Sequence, residues 1–318
     1  MSCREVNSMP TLKERIEGGL LGLLIGDALG VPYEFHSPHD IPPQPFIEFT
    51  PPKNFRRAHV GVPPGTWSDD GAQALALLAS LLYCGRFDAE DFGRRLVNWY
   101  DLGYMAVDNR VFDVGIQTGA AIRQLMRSTP ALEAGGTDEM ANGNGSLMRV
   151  LPLVLWHQGS DIDLATYAML QSRVTHGHIR SQVCCALYCL WARRVMQEAA
   201  DPWRDAVETL RAIWGEDSPE FCELDYYVRP YELPEGEGSG YVVDSLRSAY
   251  WAMQAGSYEQ VVKAAIALGR DTDTTACIAG GIAGIRDGVE VIPERWREEL
   301  RGRDIVEPLL SQLLEIYE

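Results

Sequence analysis

Gly18-Gly19-Leu20-Leu21-Gly22-Leu23-Leu24-Ile25-Gly26-Asp27-Ala28-Leu29-Gly30 is an apolar run at helical spacing that carries more glycine than an isolated helix tolerates. Each interior glycine costs up to about 1 kcal/mol relative to alanine. Close approach of two backbones is the compensation such a run implies. A segment near the other end of the chain, Cys277-Ile278-Ala279-Gly280-Gly281-Ile282-Ala283-Gly284-Ile285, shows the same economy. The two are expected to pack tightly on each other in the core. That contact would carry Asp271 and Asp273, which start the second helix, to the N-terminal segment.

Helical periodicity dominates the rest. It predicts helices over about 12–30, 70–84, 89–102, 114–126, 179–198, 203–214, 242–255, 258–268, 274–286 and 305–317. Strand-like alternation is scarce. Two long loop regions, 31–65 (rich in Pro) and 215–240 (Pro, Gly and acidic residues), lie between helices that need one another for burial. Long ordered loops in a helical domain more often frame a site than link domains. The expected architecture is all-α, a single compact multi-helix domain over 1–318, with room for a short hairpin or two in the loops.

The 318 residues are 46% hydrophobic, enough for a large core, and carry a formal net charge of −17. That charge excludes nucleic acid and anionic membrane as partners, since no basic face is left to neutralise phosphates. It leaves room for a small phosphorylated ligand held by cations or helix N-termini. The seven cysteines are odd in number, lack metal-ligand spacing, and include adjacent Cys184 and Cys185. They read as reduced core thiols of a cytoplasmic protein. The polar, charged opening from Met1 to Glu17 predicts no secretory leader, and the apolar stretch from Gly18 to Ile25 is too short to span a membrane.

Two acidic clusters carry the chemistry: Trp67-Ser68-Asp69-Asp70 and Gly269-Arg270-Asp271-Thr272-Asp273-Thr274. Each joins carboxylates to a hydroxyl at a loop-to-helix transition. Taken alone, either cluster reads as a helix cap. Taken together with Glu34, they imply carboxylates converging from distant parts of the chain, which repel unless a cation lies between them. Oxygen donors without His or Cys suit Mg²⁺ or Mn²⁺, and a binuclear centre is expected.

Further motifs join these in a consistent order: Gly26-Asp27-Ala28-Leu29-Gly30 with Tyr33-Glu34, Phe112-Asp113-Val114-Gly115, Gly143-Asn144-Gly145-Ser146-Leu147-Met148-Arg149, Thr175-His176-Gly177-His178 and Gly240-Tyr241-Val242-Val243-Asp244. As a set, from about residue 12 to about 286, they resemble the ADP-ribosylglycohydrolase family. The resemblance implies an all-α fold holding two Mg²⁺ or Mn²⁺ ions and hydrolysis at C1″ of ADP-ribose, through an N- or O-glycosidic bond. By position, Ser68, Asp69, Asp70, Asp271, Asp273 and Thr274 would be metal ligands. Ser68 stands where many members have Thr, and Arg270 where many have a small or neutral residue, so Arg270 is a candidate for pairing with a carboxylate or the substrate's phosphate.

The residues fit that chemistry in their own right. Cleavage through an oxocarbenium-like transition state needs a held ribose, a stabilised leaving group and an activated water. Glu34 is the first candidate for proton transfer and Asp113 the second, with helix capping the plainer reading of Asp113. The turn from Asn142 through Asn144, Gly145 and Ser146 into Leu147 and Met148 would open a helix and offer N–H groups to a diphosphate. His176 and His178 are a candidate proton-transfer pair, His176 the one expected to touch ligand. Tyr241 is a candidate to stack on adenine, while Tyr226, Tyr227 and Tyr231 read as loop anchors.

The expected substrate is an ADP-ribosylated protein or small molecule, arginine-linked ADP-ribose first, then serine-linked or small O-linked compounds, with ADP-ribose as product. A non-catalytic ADP-ribose-binding protein is one rival reading; a metal-dependent phosphoesterase, releasing phosphate or AMP, is another.

Overall fold

The computed structural model describes residues 9–317; the first eight residues of the polar opening, Cys3 among them, lie outside that range. The named secondary-structure elements of the described residues are all helical. The helices run α1 (Leu12–Gly30), α2 (Asp69–Cys84), α3 (Ala89–Leu102), α4 (Ile116–Met126), α5 (Leu151–Trp156), α6 (Asp161–Arg173) and α7 (Ile179–Met196). They continue with α8 (Pro202–Trp214), α9 (Pro219–Cys222), α10 (Val242–Ala252), α11 (Tyr258–Ala267), α12 (Thr272–Asp287), α13 (Glu294–Glu299) and α14 (Arg303–Glu315). The expected hairpins are not there: among the described residues the only strand-like pairings are two single bridges, Gly136 with His176 and Gly143 with Tyr241. Both lie where loops meet beside the cleft described below.

The α1–α12 pair is the most extensive helix contact in the molecule. A Cβ on Gly284 would overlap the carbonyl oxygen of Gly18, and one on Gly30 would overlap the backbone of Asp273. Side chains are thus excluded along the seam by the opposing backbone. By length and hydropathy α1, with the turn after it, is apolar enough to cross a membrane, contrary to the reading of 18–25 alone. Its window is 89% buried inside the protein, so it is a core helix whose apolar faces are already covered.

Start signals explain the helix ends. Thr11 forms a reciprocal capping box with Glu14 at α1. Ser68 caps α2 by accepting from Asp70 N–H, so α2 begins one residue earlier than its apolar spacing suggests. α12 likewise starts at Thr272. The helix expected from Val114 starts at Ile116, with Gly115 as its cap residue. α5 is six residues long, too short to show a period. α6 mixes Asp161, Asp163, Thr166, Gln171 and Ser172 among its apolar positions, which blurs its stripe. The 215–240 region holds α9 and a single π-helical turn, Glu223–Val228. There Tyr231 donates its hydroxyl to Glu208 (2.7 Å), as a loop anchor does. Cys184, Cys185, Cys189 and Cys277 are buried free thiols.

Gly284→Ala should lower unfolding free energy by about 3 kcal/mol or more, the upper range for overpacking, because both partners are backbone. Gly119→Ala, where an added Cβ would meet the flexible end of Arg123 at 3.4 Å and Val114 Cγ1 at an ordinary 3.6 Å, should be neutral or stabilising by up to about 1 kcal/mol. Urea denaturation of the two variants checks the contrast.

Candidate functional site

The seam delivers the acidic residues to one place. Asp27, in the last turns of α1, is fully buried and accepts from the N–H groups of Ser68 (2.9 and 3.0 Å) and Gly71 (2.8 Å) at the start of α2. The first turn of α2 is therefore anchored to α1 by a carboxylate. Beyond α1, Arg270 locks the Glu34 loop by backbone exchange: Phe35 N–H donates to Arg270 O and Arg270 N–H to His36 O, each at 2.7 Å. Phe35 and Arg270 both adopt left-handed backbone conformations to do so.

Within this frame three groups bring one donor atom from each residue within 4.8 Å of the others: Asp27, Asp70 and Asp273; Glu34, Asp271 and Asp273; and Glu34, His59 and Asp113. Ser68 Oγ donates to Asp70 (3.1 Å), as does Thr274 Oγ (3.1 and 3.3 Å). Asp69 accepts from Gln73 (2.9 Å) and Asp271 from Asn144 (2.8 Å). Among the described residues, Asp273 Oδ2 is the one buried side-chain polar atom without a hydrogen-bond partner.

Helix capping accounts for Ser68 and leaves the others unexplained. Asp271 stands at the cap position of α12, yet its side chain makes no capping hydrogen bond. Asp113 does not cap α4; it has a left-handed backbone two residues before the cap residue Gly115 and faces the cleft.

Electrostatics tell the same story. Burial, reinforced by Asp113, Asp271 and Asp70, pushes Glu34 up to about 11. Burial raises Asp27 to about 7 despite its backbone donors, and Asp113 to about 6 with help from Asp271. Asp69, Asp70 and Asp273 are all driven well above the usual carboxylate range by burial and by one another. Uncompensated carboxylates at this density are costly. Hard oxygen donors plus one orphaned buried oxygen fit a divalent cation.

A cavity of about 450 Å³ opens onto this cluster, lined by Glu34, Asp69, Asp113, Asp271 and Thr274 together with Asn144, Gly145, Met148 and His176. The candidate turn divides as its geometry dictates. Ser146 is buried behind it, bonded to Ser172 (2.8 Å), and Leu147 is packed in the core. Neither reaches the cleft. The turn does not open a helix directly, since α5 starts at Leu151.

Arg270 points away, pairing with Glu237 at 3.4 Å, which makes its contribution the backbone lock just described. Tyr241 is exposed, accepts from Arg180 (3.2 Å), and lies outside the cavity lining. His178 caps α7 by accepting from Arg180 N–H (3.1 Å), so it forms no proton-transfer pair with His176. Residues the sequence reading left without a role also stand here. His59 bonds Glu34, and Gln117 accepts from Gly143 N–H (2.9 Å) and donates to Met140 O (2.9 Å). Asp27 was visible as a charge inside an apolar helix; His59 sits in a loop without any pattern to mark it.

Fold and cleft together define an all-helical protein with a carboxylate-built site fit for divalent cations. Comparison with known proteins narrows this. The sequence model of the family described as ADP-ribosylglycohydrolase matches residues 8–318. The ADP-ribosylarginine hydrolase Tri1 of Pseudomonas putida (strain GB-1) is 30% identical over 305 residues, 95% of this chain and 78% of that protein. The ADP-ribosyl-[dinitrogen reductase] glycohydrolase of Rhodospirillum rubrum is 28% identical over 297 residues, 92% of each chain. A solved structure described as an ADP-ribosylglycohydrolase-related protein complex superposes with a TM-score of 0.75 at 30% identity, covering 96% of this chain and 99% of that one. The chain belongs to the ADP-ribosylglycohydrolase family. It is accordingly a hydrolase of the glycosidic bond of ADP-ribose.

Protons and cations should compete for this cluster. Carboxyls raised on folding add stability that is complete below their ordinary values near 4 and is lost as pH climbs through the folded values. In EDTA, thermal stability should fall between about pH 5 and 8, through the values near 6 and 7 for Asp113 and Asp27. Mn²⁺ should restore stability at pH 8 and have little effect at pH 5. Melting curves that Mn²⁺ leaves unchanged at pH 8 would contradict the assignment.

Proposed function

We propose that this hydrolase removes mono-ADP-ribose from arginine side chains, using two Mg²⁺ or Mn²⁺ ions held by Ser68, Asp69, Asp70, Asp271, Asp273 and Thr274. The observation that carries the metal reading is Asp273 Oδ2, a buried carboxylate oxygen without a partner at the meeting point of two carboxylate groups. Support for the arginine linkage comes from Tri1, whose name states that substrate. The relative from Rhodospirillum rubrum adds support for a protein as the carrier of the modification.

Bound divalent cations supply Lewis-acid charge and an acidified water. The chain's own groups do the rest. Glu34 is buried at the edge of the cluster and bonded to His59, which places it for proton transfer beside the held ribose. Asp113 lies in the same group of donors, lines the cleft and provides a second carboxyl for proton transfer. Asn144, Gly145, Met148 and His176 line the same cleft, where the rest of the ADP-ribose would lie.

Chromatography of ADP-ribose released from an arginine-ADP-ribosylated protein tests the reading. Release should require Mg²⁺ or Mn²⁺ and stop in EDTA. Glu34→Gln should lower kcat by about 10²-fold or more. Intact release from serine-linked conjugates alone would move the substrate assignment; release of AMP would overturn it.

A further inference from the structure

Behind the cleft lies a buried cation that the reaction chemistry above does not use. Arg149 is fully buried, and none of its hydrogen bonds is to a carboxylate. Nη1 donates to Gln73 Oε1 (2.8 Å), Nε to Gln171 Oε1 (3.1 Å), and Nη2 to Gln171 O (3.1 Å) and Thr175 Oγ (2.8 Å). The ring of Phe92 lies 5.0 Å from the guanidinium carbon. Desolvating a guanidinium among neutral acceptors is expensive, so a fold that does it gains from the fixed fork of donors.

The two ends of that fork lead to two residues that line the cleft, Asp69 and His176. Gln73 Oε1 is occupied by Arg149, which turns the amide so that its NH₂ donates to Asp69 (2.9 Å). Thr175 Oγ accepts from Arg149 and sits 2.8 Å from His176 Nδ1. Among the described residues, that nitrogen is the only acceptor for the threonine's own hydrogen. Nδ1 therefore accepts, and a neutral imidazole must carry its proton on Nε2. Burial, with Arg149 nearby, holds His176 neutral by pushing it down to about 3. Its Nε2 has no protein partner among the described residues and borders the Gly143–Gly145 turn on the cleft wall.

We propose that Arg149 is a positioning residue: it orients the Thr175 hydroxyl so that His176 presents an Nε2–H donor to the substrate, and orients Gln73 so that it holds Asp69. A neutral donor at that wall suits an anionic oxygen, and the diphosphate is the substrate's anionic part. The substrate half of the inference rests on the ADP-ribosyl hydrolase reading; the proton assignment does not.

Nitrogen NMR of ¹⁵N-histidine protein, with His176 assigned by its loss in His176→Asn, tests the assignment without any turnover. His176 should be neutral from pH 6 to 9 and protonated on Nε2, with Nδ1 hydrogen-bonded. A proton on Nδ1, or a charged ring at pH 7, overturns the proposal. Thr175→Val and Arg149→Lys should each shift the Nδ1 resonance and weaken binding of ADP-ribose about tenfold, while Thr175→Ser restores both. Folded variants that lose thermal stability but keep ADP-ribose affinity and the Nδ1 resonance would reduce Arg149 to a core residue. If arginine-linked substrates prove inert while the nitrogen pattern holds, the substrate reading fails and the positioning role survives.

Discussion

Backbone contact between α1 and α12 is the constraint on which the site depends. With glycine facing carbonyl oxygen along the seam, the helices approach as closely as helical backbones can, and neither can slide without collision. The helix ends are consequently fixed in register, with Gly30 packed on the backbone of Asp273 and Thr272 Oγ donating to Gly30 O (2.8 Å). Asp27 then captures the first turn of α2, and the backbone lock between Phe35 and Arg270 folds the Glu34 loop over the same point. Carboxylates remote in sequence meet because helix ends are rigid and their separation is set by packing, not by flexible loops.

Such convergence works against the stability of the metal-free protein. Burial and mutual repulsion raise Asp69, Asp70 and Asp273, and the fold has not neutralised them with arginines as it has elsewhere. Asp91, for comparison, is paired with Arg94 and Arg95 (3.0 and 2.6 Å) and lies below its ordinary value. The buried cation Arg149 is kept one residue back and reaches Asp69 through Gln73. Buried carboxylates gathered at one end of a cleft without arginine partners are a donor set that suits a divalent cation.

The seam and the acid clusters were legible in the sequence because each breaks a local rule. Glycine is a poor helix former and clustered carboxylates repel, so both demand a tertiary reason. The ends of α1 and α3 could be read directly from their start and stop residues. Other features lacked such a signal. Ser146, Leu147 and Met148 are contiguous, and only the turn's geometry sends two inward and leaves Met148 on the cleft wall. Arg270 was readable as a charge beside the site, but its left-handed backbone directs the side chain to Glu237 instead. The contacts of His59 and Arg149 are made across the fold, and no spacing in the sequence encodes them.

Counting bound metal tests the central claim most directly. Calorimetric titration of the metal-free protein with Mn²⁺, read beside its paramagnetic resonance spectrum, should give two ions per chain with a spin-coupled signal. Both should disappear in the double variant Asp69→Asn and Asp271→Asn while the helical circular dichroism is kept. Binding of no ion, or of two ions that persist in the double variant, would show that the converging carboxylates serve some purpose other than a binuclear metal centre.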